Sequence, residues 1–253
     1  GARPAPADTI VISIDKESSE QLNLPDNPDK WPRSLHARLV EKLASSGASV
    51  IAFDVHFIEP RSAVQDKVFA AAIRKAGNVI LCQPLKLKEV RSGQRRRDTA
   101  ENHNLVQVVQ PLDLFVRSAS ATAPFTLPRI PFKVSQYWTF ETSAGDVPTM
   151  PVVAFQLFTA PLYGDFVRLL ERVDSKLSGK LPETVASKIV KGELAELISS
   201  IHALFEADPT LAGRMLEEVN RSGLPAREQE NNRLLAALIS MYAGQNSRYI
   251  NDY

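Results

Sequence analysis

Two short runs rich in β-branched residues, 9–14 and 49–53, constrain the fold of this chain more than any other feature. Each run ends in a carboxylate, Asp15 and Asp54 respectively. Short apolar runs of this kind are typical of buried strands in a parallel sheet. Between them, Leu35, Leu39, Val40 and Leu43 recur at helical spacing, which predicts a helix that starts near Pro32 and Ser34 and stops at Gly47. The segment is therefore predicted to be a strand, crossover helix, strand unit.

The two predicted strands are expected to be parallel neighbours, because a crossover connection joins them. Asp15 and Asp54 would then lie on one edge of the sheet, with their strands about 5 Å apart. Ligands of open α/β sheets bind at that edge, beyond the carboxyl ends of the strands. The sequence thus predicts a shared crevice that opens between the two aspartates.

The order of the later segments indicates the fold class. A helix is predicted over residues 63–75 and a third strand over 78–83, which gives the alternation of strand and helix typical of a doubly wound sheet. We predict an α/β fold with a mixed, largely parallel doubly wound sheet, flanking helices and a C-terminal helical subdomain. The predicted divisions are an α/β core at 1–160, a helical subdomain or insertion at 161–246, and the start of a further core strand at 247–253.

Composition and motifs favour a binding module over several other classes of protein. The net charge of +1 gives no reason to expect a nucleic-acid-binding protein. The single cysteine, Cys82, allows no intrachain disulfide, and no histidine or cysteine spacing typical of a zinc site occurs. Phosphate-binding loops, nucleophile elbows and metalloprotease motifs are missing, so we predict a binding module with no catalytic residues and no cofactor. Cys82 itself is interpreted as a small buried hydrophobic residue.

The candidate ligand-binding residues are Asp15, Arg33, His36, Asp54 and Glu59. Three interpretations are open. In the first, Asp15 caps the helix that follows it, Asp54 pairs with Arg33, and nothing binds. In the second, Asp15, Asp54 and Glu59 line a pocket for a ligand or metal ion of unknown identity. In the third, the aspartates are catalytic.

His36 lies on the predicted crossover helix, close to its apolar face. A hydrogen-bonded structural role is the simpler interpretation, and a pH-sensing role is the alternative, because the unperturbed pKa of histidine is about 6.5. The charged segment 86–102 is predicted to be an exposed hairpin tip or loop, and the basic residues within it alternate with acidic ones.

Several motifs resemble one known family. They are VISID, WPRSLHARLVEKLASSGASVIAFDVHF, AAAIRKAGNVIL, APFTLPRIPFKVSQYWTF and a proline-led helix that follows, and the resemblance covers about residues 9–157. They look like the CHASE domain of the second type, the cyclase- and histidine-kinase-associated sensory extracellular domain of bacterial transmembrane receptors. The helical block from about 163 to 246 is longer than the connection expected of that family.

The resemblance implies an extracytoplasmic sensor, anchored in the cell membrane and placed on its periplasmic or extracellular side. It also implies a homodimer and an output domain that is an adenylate or guanylate cyclase, a histidine kinase or a Ser/Thr kinase. Two alternatives stay open: a metal-dependent α/β enzyme that uses the two aspartates, and a periplasmic interaction module in which the helical block binds a partner. The sequence does not name the small-molecule or physical stimulus.

Overall fold

The computed structural model describes residues 8–88, 105–127, 136–221, 226–243 and 250–251. In chain order its helices are α1 (Lys16–Gln21), α2 (Arg33–Ser45), α3 (Ala63–Ala76), α4 (Asp113–Val116), α5 (Met150–Phe158), α6 (Tyr163–Val173), α7 (Ser175–Ser178), α8 (Ala186–Lys191), α9 (Leu194–Ala207), α10 (Leu211–Arg221) and α11 (Ala226–Ala243). Its strands are β1 (Ile51–Phe53), β2 (Val79–Cys82), β3 (Leu85–Lys88), β4 (Leu105–Val108), β5 (Ala121–Ala123), β6 (Gln136–Tyr137), β7 (Phe140–Glu141), β8 (Val147–Pro148) and β9 (Ile250–Asn251).

A three-stranded parallel sheet in the order β1-β2-β5 forms the centre of the fold. The register places Phe53 of β1 beside Leu81 of β2, and Cys82 of β2 beside Ala123 of β5. Three further pairs of strands are antiparallel: β3 with β4, β6 with β9 and β7 with β8. The predicted α/β class, with a parallel sheet covered by flanking helices, is confirmed.

The predicted first strand is wrong. Residues 9–14 form no strand, and the neighbour of β1 is β2. Ile10 and Val11 are each 84% exposed, so these side chains contribute little burial. β-branched residues favour extended backbone, but a strand also needs a partner edge, and residue type alone does not supply one. Among the described residues, Ile14 is the member of this segment that packs against a buried core.

Helices cover both faces of the sheet and bury two apolar cores. One face packs Ile51, Phe53, Val79 and Leu81 against α2, α3 and α4. The other face carries smaller side chains, and the helices above it are α5, α6, α9, α10 and α11. The residues on this second face are Ile80, Cys82, Ala121 and Ala123. This two-sided burial is the doubly wound arrangement that the alternation of strands and helices predicts.

The two helices that flank β1 in the sequence begin and end close to their predicted limits. Ser62 caps α3 by accepting a hydrogen bond from the backbone of Gln65, and Gly77 ends the helix in the left-handed conformation with φ of 68°. Left-handed backbone at this position is the usual helix stop, and glycine adopts it without a steric penalty. These local signals fix α3 between β1 and β2.

The C-terminal helices pack on the sheet through one continuous core. α9 contacts β5, and Ile198 and Ile201 of α9 share a core with Ile80 and Ala123 of the strands. Tyr242 of α11 donates a 2.7 Å hydrogen bond to buried Gln156 of α5. The predicted domain boundaries at 160 and 246 stay a prediction. The predicted hairpin is present in its β3–β4 stem, whereas its charged tip at 89–104 lies outside the described residues.

Candidate functional site

Asp15 is a helix cap. Its carboxylate accepts hydrogen bonds from the backbone N–H of Ser18 at 3.0 Å and from the Ser18 hydroxyl at 2.8 Å. The backbone hydrogen bond from Ser18, followed by the hydroxyl, lowers the pKa of this carboxyl. The capping part of the first interpretation is therefore confirmed. Because residues 9–14 do not pair with β1, Asp15 does not stand beside Asp54 at neighbouring strand ends, and that prediction is wrong.

Arg33 is fully buried and pairs with Asp66, which lies on α3. Its Nε lies 3.4 Å from Oδ1 of Asp66, and its Nη2 donates a 2.9 Å hydrogen bond to the carbonyl of Glu59. The guanidinium also lies over the rings of Phe57 and Phe115, at 4.8 and 5.5 Å from their centroids. The expected pair of Arg33 with Asp54 is wrong, because the facing helix supplies a buried acid. Glu59 contributes its backbone carbonyl to this cluster.

Burial is the main influence on the pKa of Arg33 and lowers it, while the charge of Asp66 raises it. The cluster ties α2, α3 and the β1–α3 loop together at the edge of the sheet. Asp66 reinforces this junction, because its Oδ2 also accepts a 3.0 Å hydrogen bond from the backbone N–H of Arg61. A ligand would not reach the Arg33 guanidinium without separating these helices, so the ligand-binding role of Arg33 stays an untested prediction.

His36 packs inside an aromatic cluster with Phe53, Phe57 and Phe69. Its Nδ1 lies 3.2 Å from the carbonyl of Pro32. Burial is the largest influence on this imidazole and lowers its pKa to about 4. The structural interpretation of His36 therefore has direct support from its contacts, and the ring is neutral at pH 7.

An open groove of roughly 830 Å³ runs along the outer face of α2. Ile12, Ile14 and Leu22 form one wall and Leu35 and Leu39 form the other. His36 also lies on the lining of the groove. The charged residues of the lining come from α2 and α3, and they are Arg38, Glu41, Lys42 and Lys75. The groove combines an apolar lining with a polar rim, which is the usual composition of a small-molecule site.

The carboxyl ends of β1 and β2 bring together three side chains that offer different ligand atoms. Asp54 follows β1, His56 lies two residues further on, and Cys82 ends β2. One ligand atom from each of the three lies within 4.8 Å of the other two. Asp54 and His56 are exposed whereas Cys82 is buried. The set occupies the sheet edge at which ligands of α/β proteins bind.

Asp29 holds the histidine of this trio in place. Its Oδ1 accepts a 3.0 Å hydrogen bond from the backbone N–H of His56, and its Oδ2 lies 4.0 Å from the ring Nδ1. Arg61 donates a 3.0 Å hydrogen bond to the Asp29 carbonyl. Burial, followed by the nearby Asp54 carboxylate, raises the pKa of the Cys82 thiol to about 12. The interpretation of Cys82 as a buried residue is confirmed.

Comparison with known families identifies the chain. The CHASE2 domain family model matches residues 2–206, which is most of its length. This chain belongs to the CHASE2 family. CHASE2 is an extracellular sensory domain of signalling receptors, and it is a sensory, non-catalytic domain. Searches of the curated proteins and of the solved structures returned no match. In the part of the chain that is described, no helix is long and apolar enough to cross a membrane.

The motifs that carry the CHASE2 resemblance build the buried junction around α2. Trp31 donates its indole N–H to the carbonyl of Pro25 at 2.6 Å, Arg33 pairs with α3, and His36 contacts both phenylalanines that flank Asp54 in the sequence. His36 therefore packs against the end of β1 that presents Asp54.

Sequence reasoning missed Cys82, His56, Asp29 and Asp66 as members of clusters. For Cys82 a signal was present, because the third predicted strand ends next to it. Placing that strand beside β1 would have brought Cys82 to Asp54. Asp29 and Asp66 carry no comparable signal, since a loop carboxylate and a helix carboxylate are ordinary surface residues by sequence alone.

Proposed function

We propose that this CHASE2 domain is the extracytoplasmic input module of a bacterial transmembrane receptor. Its output is a nucleotide cyclase or a histidine or Ser/Thr kinase, and it works as a homodimer because such outputs act in pairs. The stimulus acts at the carboxyl edge of the β1–β2 pair and changes the packing that links this edge to the rest of the domain. Such a stimulus acts by favouring one of two conformations, so the two must differ in their affinity for it.

The family match over residues 2–206 is the observation that carries the proposal. The fold adds a physical reason for placing the sensing surface at the sheet edge. Asp54 and His56 are exposed there, while Arg33 and Asp66 are buried and connect α2 to α3. The loop that carries His56 continues to Glu59, whose carbonyl accepts a hydrogen bond from Arg33, so this loop links the exposed side chains to the buried pair.

Membrane topology tests the proposal directly. Cys82 is buried and is the sole cysteine of this chain, so it gives a low background for thiol labelling. Val190 is 85% exposed on α8, and Val190→Cys adds one accessible thiol. In the full-length protein, with any cysteine outside these 253 residues replaced by serine, a membrane-impermeant maleimide is expected to label the variant in intact spheroplasts and to leave the parent protein unlabelled. Labelling of Val190→Cys that requires lysis would place the domain in the cytoplasm and overturn the proposal.

The dimer is tested separately by sedimentation of the 253-residue chain over a range of concentrations. A species of twice the chain mass is the expected result, and a monomer at all concentrations contradicts the homodimer of this domain. The enzyme alternative relied on Asp15 and Asp54 at neighbouring strand ends, and that arrangement is absent because residues 9–14 do not pair with β1. The alternative in which the helical block binds a partner stays a prediction.

A further inference from the structure

The trio Asp54, His56 and Cys82 combines the three ligand atoms that a transition-metal ion accepts together. Carboxylate oxygen, imidazole nitrogen and thiolate sulfur are all ligands of Zn²⁺, while thiolate sulfur is not a ligand of Mg²⁺ or Ca²⁺. The three atoms come from one side of the sheet edge. Asp54 and Cys82 are in adjacent positions of neighbouring strands, because Phe53 pairs with Leu81 in the parallel register. The strand register itself therefore creates the pair.

The spacing of these atoms is close to that of a zinc site. Zinc binds sulfur at about 2.3 Å and nitrogen or oxygen at about 2.0 Å, so tetrahedral ligands lie roughly 3.3 to 3.6 Å apart. The three atoms here lie within 4.8 Å of one another. Asp54 and His56 are exposed and change rotamer without repacking a core, whereas Cys82 is fixed by its burial. Rotation of the Asp54 and His56 side chains is the movement by which the proposed site would reach zinc spacing.

A carboxylate lies next to His56. Metal-binding histidines have a carboxylate or carbonyl partner that orients the ring through a hydrogen bond. Asp29 is placed to become this partner: one of its oxygens accepts the His56 backbone N–H at 3.0 Å, and the other lies 4.0 Å from the ring Nδ1, one side-chain adjustment away from a hydrogen bond. Three protein ligands leave a fourth position for water or another ligand, as in open zinc sites.

We propose that Asp54, His56 and Cys82 form a binding site for Zn²⁺ or a similar borderline transition-metal ion, with Asp29 as the residue that positions His56. On binding, the Cys82 thiol releases its proton to the solvent and its sulfur forms a bond to the metal. No oxidation occurs. The inference goes beyond the proposed function and does not depend on it, because binding is a property of this edge in any setting.

Co²⁺ absorption spectroscopy of the full 253-residue chain, reduced and free of any affinity tag, tests the site. Cobalt occupies zinc sites, and a cobalt–thiolate bond gives a charge-transfer band in the near ultraviolet that reports directly on Cys82. We expect this band on addition of Co²⁺ and its disappearance when Zn²⁺ displaces the cobalt. Addition of Mg²⁺ is expected to leave the cobalt bound and the band unchanged. Competition between the two transition metals then measures the zinc affinity.

Substitutions assign the ligands. His56→Ala and Asp54→Ala are expected to weaken zinc binding by more than tenfold, and Cys82→Ser to remove the thiolate band. Asp29→Asn is expected to weaken binding by about 10- to 100-fold, as removal of an orienting partner does. Glu171→Gln, which changes an exposed carboxylate on α6, serves as the matched control and leaves the affinity unchanged. His56 and Asp54 are exposed, so their variants keep the test valid if Cys82→Ser does not fold.

Two results would overturn the site. One is the absence of a thiolate band in the folded wild-type chain at excess Co²⁺. The other is zinc binding that survives unchanged in His56→Ala and Asp54→Ala, which would place the metal elsewhere. Either result leaves the labelling of Val190→Cys unaffected, so failure of the metal site and failure of the proposed receptor function are distinguishable.

Discussion

At the scale of single residues, the stability of the fold depends on buried ionisable groups near the edge of the sheet, namely the Arg33–Asp66 pair and the His36 imidazole. Arg33 is fully buried beside Asp66, whose side chain is only 7% exposed. Loss of one partner of such a pair leaves an uncompensated buried charge, whereas loss of both leaves none. The chain also offers an exposed pair for comparison, Lys16 with Glu20 at 3.6 Å on α1.

We predict that Asp66→Ala lowers the free energy of unfolding by about 3 kcal/mol or more, because Arg33 keeps its charge without a partner. The double variant Arg33→Met, Asp66→Leu is expected to be more stable than Asp66→Ala. Urea denaturation measures both. Glu20→Ala, at the exposed pair, is expected to change stability by less than about 1 kcal/mol. Equal losses of unfolding free energy in Asp66→Ala and Glu20→Ala would show that Arg33 and Asp66 do not form a buried ion pair.

His36 predicts a dependence of stability on pH. Its pKa is about 4 in the folded protein and 6.5 in its ordinary state, so the unfolded chain takes up the proton first as the pH falls. The contribution of His36 to the free energy of unfolding is therefore fully present above pH 6.5 and is lost progressively as the pH falls towards 4. From pH 7 to 4.5 this loss is roughly 2 to 3 kcal/mol.

We expect His36→Gln to lose correspondingly less stability over the same interval, as measured by urea denaturation at both pH values. The pKa of His202 is also lowered, mainly by burial, but that residue is present in both proteins and cancels in the comparison. Identical losses for the wild type and His36→Gln would show that the imidazole is already accessible to protons in the folded state.

At the scale of elements, helix ends are specified locally and can be tested locally. Gly77 has a φ of 68° and nothing lies within 4 Å of the position of an added Cβ, so only backbone conformation opposes a side chain there. We predict that Gly77→Ala lowers the free energy of unfolding by about 1 kcal/mol.

The control for Gly77 is Gly213, which lies on an exposed position inside α10 and also has open space around it. Gly213→Ala is expected to raise stability by up to about 1 kcal/mol, since alanine is the better helix residue. Thermal unfolding of both variants measures the two effects. A destabilising effect of the same size at both positions would indicate a cost unrelated to left-handed backbone.

Elements with local signals were predictable, and pairings between distant elements were less so. α2 and α3 follow from apolar spacing and from their glycine stops, and β2 follows from a short apolar run. Residues 9–14 have the same strand-like composition as β1, yet composition does not say which edge a segment joins. The same limitation explains Arg33, whose partner comes from α3 rather than from the nearest strand end. It also explains why Cys82 takes the place beside Asp54 that was expected for Asp15.

At the scale of the whole molecule, the sheet and the C-terminal helices share one buried core, while buried Trp31 immediately precedes α2, a helix that packs on the opposite face of the sheet. Ile198 of α9 is fully buried in the shared core. Deleting residues 161–246 would uncover this apolar surface, so a point substitution is the cleaner test of coupling between the two regions.

We predict that Ile198→Ala lowers the free energy of unfolding by about 2 to 5 kcal/mol. In a Trp138→Phe background, Trp31 fluorescence reports on the opposite layer and far-ultraviolet circular dichroism reports mainly on the helices. Both signals are expected to shift to the same lower urea midpoint, because the layers unfold together. A shift of the dichroism alone, with Trp31 unchanged, would show that the C-terminal helices are an independent unit.

The face of the sheet that carries Cys82, Ala121 and Ala123 also limits how this domain can change over time. These short side chains are buried in the core that the sheet shares with the C-terminal helices, and a close-packed interior has little room for added volume. A bulkier residue at any of these three positions would push the helices away from the sheet. Substitutions at this face are therefore expected to occur in pairs during evolution, with a larger side chain on the strand accompanied by a smaller side chain on the helix opposite it.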